Sequence, residues 1–263
     1  MQRGGSMLTI AGTARFVSDL HLRAERPDLT RRFADFLAAT AAAKVETLFV
    51  LGDLFEYWIG DDDLADPFNA QVCKLLRDLA DSGTRIFFIA GNRDFLIGEG
   101  FAAAAGMTLL PEIAKVGAGG TATLLMHGDT VCTDDIPYQE FRRMVRSQQW
   151  QADFLVRPLP ERRAEVATLR RRSAEAMQGK TAAIMDANAV AIREALTAHG
   201  CTRLIHGHTH RPGHEHIQLA SGSAERWVLS DWDTGRGDAL EIGASGVHRI
   251  DLSTTTARRR HGP

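Results

Sequence analysis

Cysteine is scarce in this chain: 263 residues hold three, Cys73, Cys132 and Cys201. They are far apart, odd in number and form no CxxC. That excludes a disulfide framework and a cysteine-based zinc module, and leaves three reduced thiols of the kind a cytosolic protein carries. Long apolar runs are lacking too: none approaches the ~20 residues a bilayer-spanning helix needs. The N-terminal stretch MQRGGSMLTIAG has an arginine but only a short apolar run, so no signal peptide is expected, and Met7 is an alternative start. Charge of one sign is not in excess. With 31 basic and 33 acidic residues the formal net charge is −2, which argues against a general nucleic-acid binder. No internal repeat or low-complexity segment stands out.

What remains is an ordinary soluble composition, 44% apolar and 24% charged, in a length suited to one large domain or a core domain carrying an insertion. The first 130 or so residues alternate strand-like and helix-like segments. ARFVSD, TLFVLGD, RIFFIAGNRD and TATLLMHGD are apolar runs that end in polar loops. RRFADFLAATAAA has helical spacing. NAQVCKLLRDLADSG places Val72, Leu75, Leu76 and Leu79 on one stripe, with Gly83 as a stop. This rhythm predicts parallel strands buried on both faces. Ligands bind at the C-terminal ends of such strands, so Asp19, His21, Asp53, Asn92 and His127 are expected to converge.

Residues 132–199 read differently. Strand-type runs are absent, and from Phe141 to Lys180 ten basic residues face four acidic ones. A helical cap insertion over the strand ends is expected, between core segments 1–131 and 200–253. Trp150, Phe154, Leu155 and Leu159 could be its greasy side or plain core. TRLIHGHTH, GHEHIQLA, ERWVLSD, DALEIGA and GVHRIDL then read as short strands with glycine-containing turns, predicting a second sheet layer. The small, basic tail, residues 254–263, is expected to be mobile.

Five segments carry chemistry: SDLHL, GDLFEYW, GNRDF, MHGD and HGHTH. Asp19 and His21 are two residues apart, and in extended backbone such residues project to one side, where an oxygen and an imidazole nitrogen could reach one ion. His208 and His210 repeat the spacing. Asp53 could bridge two ions through its two oxygens, Asn92 offers a neutral carbonyl oxygen, and His127 follows an apolar strand directly. Each fragment alone reads as a turn, a cap or a satisfied core histidine. His206, deeper in its strand, reads more readily as a hydrogen-bonded buried histidine than as a ligand.

The ordered set DxH, GD, GN, HGD, GHxH, each after an apolar strand, resembles the calcineurin-like metallophosphoesterase superfamily over essentially the whole chain outside the tail. The resemblance implies an α/β fold, a four-layer αββα sandwich, with a helical cap insertion. It implies two divalent ions: one held by Asp19, His21, Asp53 and His210, the other by Asp53, Asn92, His127 and His208. Oxygen and imidazole donors without thiolate suit Mn, Fe or Zn, and Mn2+ is the expected ion.

Many members of the superfamily have GNH where this chain has GNRDF. Arg93 cannot act as a general acid but can grip a phosphate with paired hydrogen bonds, which favours a substrate whose leaving group is itself a phosphate. GDLFEYWIGDD, HGDTVCTDDIPYQEFR and GKTAAIMDAN narrow the resemblance to the UDP-2,3-diacylglucosamine pyrophosphatase family of the lipid A pathway. That implies an acylated UDP-sugar lipid as partner, no nucleic acid, and peripheral contact with the cytoplasmic face of the inner membrane. By resemblance, Asn92, Arg93, Asp135, Tyr138, Phe141, Arg170, Ser173, Lys180 and His208 face the substrate. Met177 departs from the family's asparagine, which puts one headgroup hydrogen bond in doubt. The alternatives are a phosphoesterase acting on a soluble nucleotide and a metal-free scaffold.

Overall fold

The computed structural model describes residues 7–178 and 186–253, with backbone alone for Ser173, Ala174 and residues 176–178. Two six-stranded sheets form the centre. The first sheet contains β2 (Ala14–Val17), β3 (Thr47–Val50), β4 (Arg85–Phe88), β5 (Met107–Leu109), β11 (Asp238–Gly243) and β12 (Gly246–Asp251). Its order is β12-β11-β2-β3-β4-β5, parallel from β2 to β5. The second contains β1 (Leu8–Ile10), β6 (Ile113–Ala118), β7 (Thr121–Met126), β8 (Arg203–His206), β9 (Gly213–Leu219) and β10 (Gly222–Val228), in the order β1-β6-β7-β8-β10-β9.

Alternation of side chains along the strands builds three apolar layers. Phe16, Phe49, Leu51, Phe87 and Ile89 from the first sheet meet Val116, Leu125 and Ile205 from the second. Phe49 stacks between Phe16 and Phe87, ring centroids 4.9 and 5.3 Å away. The other face of the first sheet, with Val17, Leu48, Val50, Ile86 and Phe88, packs on α1 (Pro27–Ala42), α2 (Pro67–Asp81) and α3 (Glu99–Ala105). Leu124, Met126 and Leu204 on the outer face of the second sheet pack on Ile192 and Leu196 of α7 (Ala189–His199). Helices, sheet, sheet, helix make the expected four layers.

Local chemistry accounts for the helix ends. Asp66 caps α2 by accepting from the Phe68 and Asn69 amides, with Pro67 in the first turn. The α2 stripe buries Val72, Cys73, Leu76 and Leu79, and the chain turns away through Gly83. Asn188 caps α7, which ends at a left-handed Gly200.

Three expectations need correction. The trailing strands do not all form the second layer: β8, β9 and β10 do, but the β11–β12 hairpin returns to pair with β2 in the first sheet. Conversely β7, expected beside the early parallel strands, pairs with β8 across the other sheet. Apolar patterning reports burial on both faces and carries no information on which neighbour is chosen. In addition α7, inside the expected 132–199 insertion, is a sandwich layer. The helices over the strand ends are α4 (Ile136–Val145), α5 (Gln148–Leu155) and α6 (Leu159–Gln178). Of their apolar residues, Phe154 is fully buried in the first-sheet core, Trp150 and Leu159 pack partly against it, and Leu155 is exposed.

Phe49→Ala, which empties the middle of the inter-sheet stack, is expected to lower unfolding free energy by about 3–5 kcal/mol. Urea unfolding measures it, and a loss below about 1.5 kcal/mol would show that the two sheets do not depend on this layer.

Candidate metal centre

Seven side chains meet where the strand ends of the two sheets come together. Asp19 and His21 follow β2, Asp53 follows β3, Asn92 follows β4, His127 follows β7, and His208 and His210 follow β8. None sits in extended strand backbone as the two-residue spacing was expected to require. Asp19, His21, Asp53, His208 and His210 all have positive φ, between 49° and 66°. Among the described residues Lys44 is the one further non-glycine with that property. Left-handed backbone is costly for such residues and persists where surrounding contacts over-determine it.

Those contacts are visible. The Asp19 amide donates to Gly52 O at 3.1 Å and the His21 amide to Asp53 O at 3.0 Å. The Gly207 amide donates to His127 O at 2.8 Å, joining the two loops of the second sheet. The Asp94 carboxylate, fully buried, accepts from the amides of Asp53, Leu54 and Gly91 at 3.2, 2.7 and 2.9 Å. It locks the Asp53 loop to the Asn92 loop. Close approach also requires glycine: a Cβ on Gly52 would lie 2.5 Å from Gly91 Cα, and one on Gly207 2.1 Å from Asp19 Oδ2.

Donor atoms converge accordingly. Asp19, His21 and His210 bring ligand atoms within 4.8 Å of one another, and so do Asp19, Asp53 and His127. His210 Nε2 is 3.3 Å from both His21 Nε2 and Asp19 Oδ1. Asn92 Oδ1 lies 2.9 Å from His127 Nε2 and 2.8 Å from His208 Nδ1. Asp53 faces both groups, its Oδ1 3.7 Å from His127 Nε2 and its Oδ2 3.9 Å from His21 Nδ1. Asp19 Oδ2 is occupied by the Ser18 hydroxyl and the His208 amide, 2.6 and 2.9 Å away, whereas its Oδ1 is buried and without a hydrogen bond. A buried unpaired carboxylate oxygen, ringed by imidazole nitrogens, fits a cation. His127 Nδ1 donates to Leu51 O at 2.8 Å, which fixes the ring and aims Nε2 inward. His206 is different: its Nε2 accepts from Arg226 and its Nδ1 donates to Gly207 O, each at 2.8 Å, so both ring nitrogens are engaged.

The electrostatics reflect crowded buried charge. Burial pushes Asp53 up to about 7, with Asp94 and Asp19 adding to it against the opposing pull of His127. Burial also opposes ionisation of Asp19, but His210, 3.3 Å from its Oδ1, and the other neighbouring histidines hold it well below the usual carboxylate range. Burial brings His21 down to about 3 and, with the His127 charge, His208 to about 4, leaving both neutral. In His127 the same burial is outweighed by Asp53, Asp19 and Asp129, which carry it up to about 9.

The expected substrate-facing residues are partly gathered around this centre. Arg93 reaches Glu56 at 3.3 Å, and its amide donates to Asp53 Oδ1 at 2.9 Å. Tyr138 places its ring 5.8 Å from that of His208 and donates its hydroxyl to Asp129 at 3.2 Å. Asp135 is buried and caps α4 by accepting from the Tyr138 amide. Arg170 of α6 pairs with Glu56. Phe141 projects from α4 to solvent, 38% exposed. The side chains of Ser173 and Met177, and all of Lys180, lie outside the described residues. Sequence reasoning passed over Glu56, Asp94 and Asp129, although all three stand in the quoted motifs; their signal was an acid two or three residues beyond a ligand or glycine. Asp129 is buried against Arg142 of α4 and Arg146 just past its end, at 2.7 and 3.7 Å, and ties the cap to the His127 loop.

This arrangement defines a class. The family described as calcineurin-like phosphoesterase matches residues 14–212, and the chain belongs to it. The family implies divalent metal ions, for which the converging donors are suited. Within it the chain is similar to a UDP-2,3-diacylglucosamine hydrolase of Aromatoleum aromaticum, 50% identical over 84% of this chain and 89% of the relative. A protein of the same name from Chromohalobacter salexigens is 47% identical over 88% and 93% of the two chains, and one from Neisseria meningitidis serogroup B 44% over 91% and 98%.

Ligation requires Asp53 ionised and His127 Nε2 unprotonated, so metal binding releases protons. With these groups raised to about 7 and about 9, affinity for Mn2+ is expected to weaken by roughly tenfold per unit as pH falls from about 9 to about 7, and more steeply below that, where Asp53 takes up a second proton. Calorimetric titration across that range measures it; an affinity independent of pH would contradict the ligand assignment.

Proposed function

We propose that this protein is a di-metal hydrolase that splits the pyrophosphate of UDP-2,3-diacylglucosamine in lipid A biosynthesis. Water attacks the α-phosphorus in line, the bond from that phosphorus to the bridging oxygen breaks, and the products are UMP and 2,3-diacylglucosamine 1-phosphate. The observation that carries this reading is the position of Arg93 and Arg170, both on one oxygen of the buried Glu56 carboxylate, beside the seven converging donors.

The ligands in this reading are Asp19, His21, Asp53 and His210 for one ion and Asp53, Asn92, His127 and His208 for the other. Their carboxylate, amide and imidazole donors, with no thiolate, suit Mn2+. Bound there, two divalent ions supply charge neutralisation at the phosphoryl group and a more acidic water. The chain supplies the rest. Asp19 and Asp53 sit in backbone that cannot relax, so the donors are placed before substrate arrives. Asn92 and His208 touch the phosphate as well. Arg93 is not a general acid, and it need not be one: the departing group leaves as a phosphate, to which the guanidinium donates paired hydrogen bonds. Arg170 brings a second guanidinium from the cap. Asp135, Tyr138, Phe141, Ser173 and Lys180 complete the substrate side of the cap in this reading.

No helix among the described residues is long and apolar enough to cross a membrane. Ile136, Phe141 and Met144 are exposed on α4 beside the site, 57%, 38% and 51% accessible. They support peripheral contact with the cytoplasmic face of the inner membrane, where a diacylated substrate resides.

The test is release of UMP from UDP-2,3-diacylglucosamine, compared with turnover of soluble nucleotides. His208→Ala is expected to abolish release with the fold kept. Arg93→Ala is expected to lower kcat/KM by about 10- to 100-fold with both ions still bound. Turnover of soluble nucleotides alone, or a silent Arg93→Ala, would refute the pyrophosphate reading.

A further inference from the structure

Glu56 lies three residues beyond Asp53 in GDLFEYW, and no role above is assigned to it. Its residue is 7% exposed, yet three guanidiniums converge on it. Arg93 Nη1 lies 3.3 Å from Oε1, Arg170 Nη2 donates to the same oxygen, and Arg23 Nη1 donates to Oε2 at 3.0 Å. They come from three separate segments: the loop after β2, the loop after β4, and cap helix α6. The arginine side chains are 34%, 30% and 38% exposed for Arg23, Arg93 and Arg170, against 9% for the Glu56 side chain. The carboxylate therefore lies beneath and the cations above it. Arg170 is further held over the ring of Tyr57, 5.5 Å from its centroid.

We propose that Glu56 is a positioning residue that gathers Arg23, Arg93 and Arg170 into one pyrophosphate-gripping cluster, with Arg23 as its third guanidinium. This rests on the pyrophosphate reading above. Three positive charges against one negative leave a surplus of two, which matches the two negative charges of a pyrophosphate diester. The substrate need not displace Glu56. A guanidinium has five N–H donors in a planar fork, and Glu56 engages one edge of each, leaving the others for phosphate oxygens. An unattached arginine loses rotamer freedom when it closes on a phosphate; one already held by a buried carboxylate has lost it beforehand. Because Arg170 comes from the cap and Arg93 from the core, the same carboxylate ties the cap to the strand-end loops.

Glu56 Oε2 is also 3.7 Å from His21 Nδ1, so a role through the metal centre is the competing explanation, and the experiment separates the two. The Mn2+-loaded full chain is assayed for UMP release from UDP-2,3-diacylglucosamine, with bound Mn2+ counted for every variant. Glu56→Gln is expected to lower kcat/KM by roughly 10- to 100-fold, mainly through KM, with Mn2+ content unchanged. In an Arg23→Ala/Arg93→Ala/Arg170→Ala background the same change is expected to cost less than about twofold, because nothing remains for Glu56 to hold. An undiminished effect in that background, a loss of Mn2+, or an effect under about threefold in the wild-type background would overturn the proposal. Should Glu56→Gln not melt cooperatively, Glu56→Asp, whose shorter arm cannot reach all three guanidiniums, is put through the same comparison with the same criteria. Absence of UMP release by the wild type would instead overturn the pyrophosphate reading, and this inference with it.

Discussion

Carboxylates buried at the seam of the two sheets are the constraint around which this protein is organised. Asp19, Asp53, Asp94 and Asp129 are all nearly or fully inaccessible and lie close together. Charge removed from water must be met by hydrogen bonds or counter-charge. For Asp94 three backbone amides do this, and for Asp129 it is Arg142, Arg146 and Tyr138. Asp19 has one oxygen satisfied and one turned inward among imidazoles without a hydrogen bond. Asp53 is pushed towards protonation by its surroundings. Asp94 is fully met and is scaffold, Asp129 binds the cap through Oδ2 and leaves its buried Oδ1 without a hydrogen bond, and Asp19 and Asp53 face the imidazoles. Division of labour among four chemically identical groups follows from which of them backbone donors and arginines can reach.

The same constraint explains the strained backbone. Five of the seven converging residues adopt positive φ, and the loops that carry them are cross-bonded by Asp94, by the Asp19 and His21 amides, and by the Gly207 amide. Strain concentrated in one place and held from several sides is what a preorganised ion site requires. The cap is joined to this centre by charge as well as packing. Arg162 of α6 is buried and pairs with Asp62, while Phe154 of α5 enters the first-sheet core. Arg142 and Arg170 reach Asp129 and Glu56 beside the site itself.

Much of this was readable in advance from particular segments. The five motifs named the donors, because each polar group follows directly on an apolar run and strand ends in such folds point to one edge. The α2 stripe from Val72 to Leu79 was legible for the same reason of periodicity. The helix itself starts at Pro67, two residues before the run read as helical, because Asp66 caps it. Glu56 and Asp94 were not legible as what they are. An acid in a loop reads as a turn residue until its partners are known, and apart from Gly91 those partners lie 33 to 114 residues away in the chain.

The linear order of residues determined which chemistry is possible: oxygen and imidazole donors without thiolate, an arginine directly after Asn92, and a basic helical segment between two strands. Only the tertiary structure decided how that chemistry is deployed. It split the donors between two sheets, sent β11 and β12 back to the first, gave Asp19 and Asp53 left-handed backbone, and placed a cap arginine and a core arginine on one buried carboxylate. The reason is that burial and periodicity are properties of a segment, whereas strand partners and charge partners are properties of pairs. Pairs distant in sequence are chosen by how the apolar layers close.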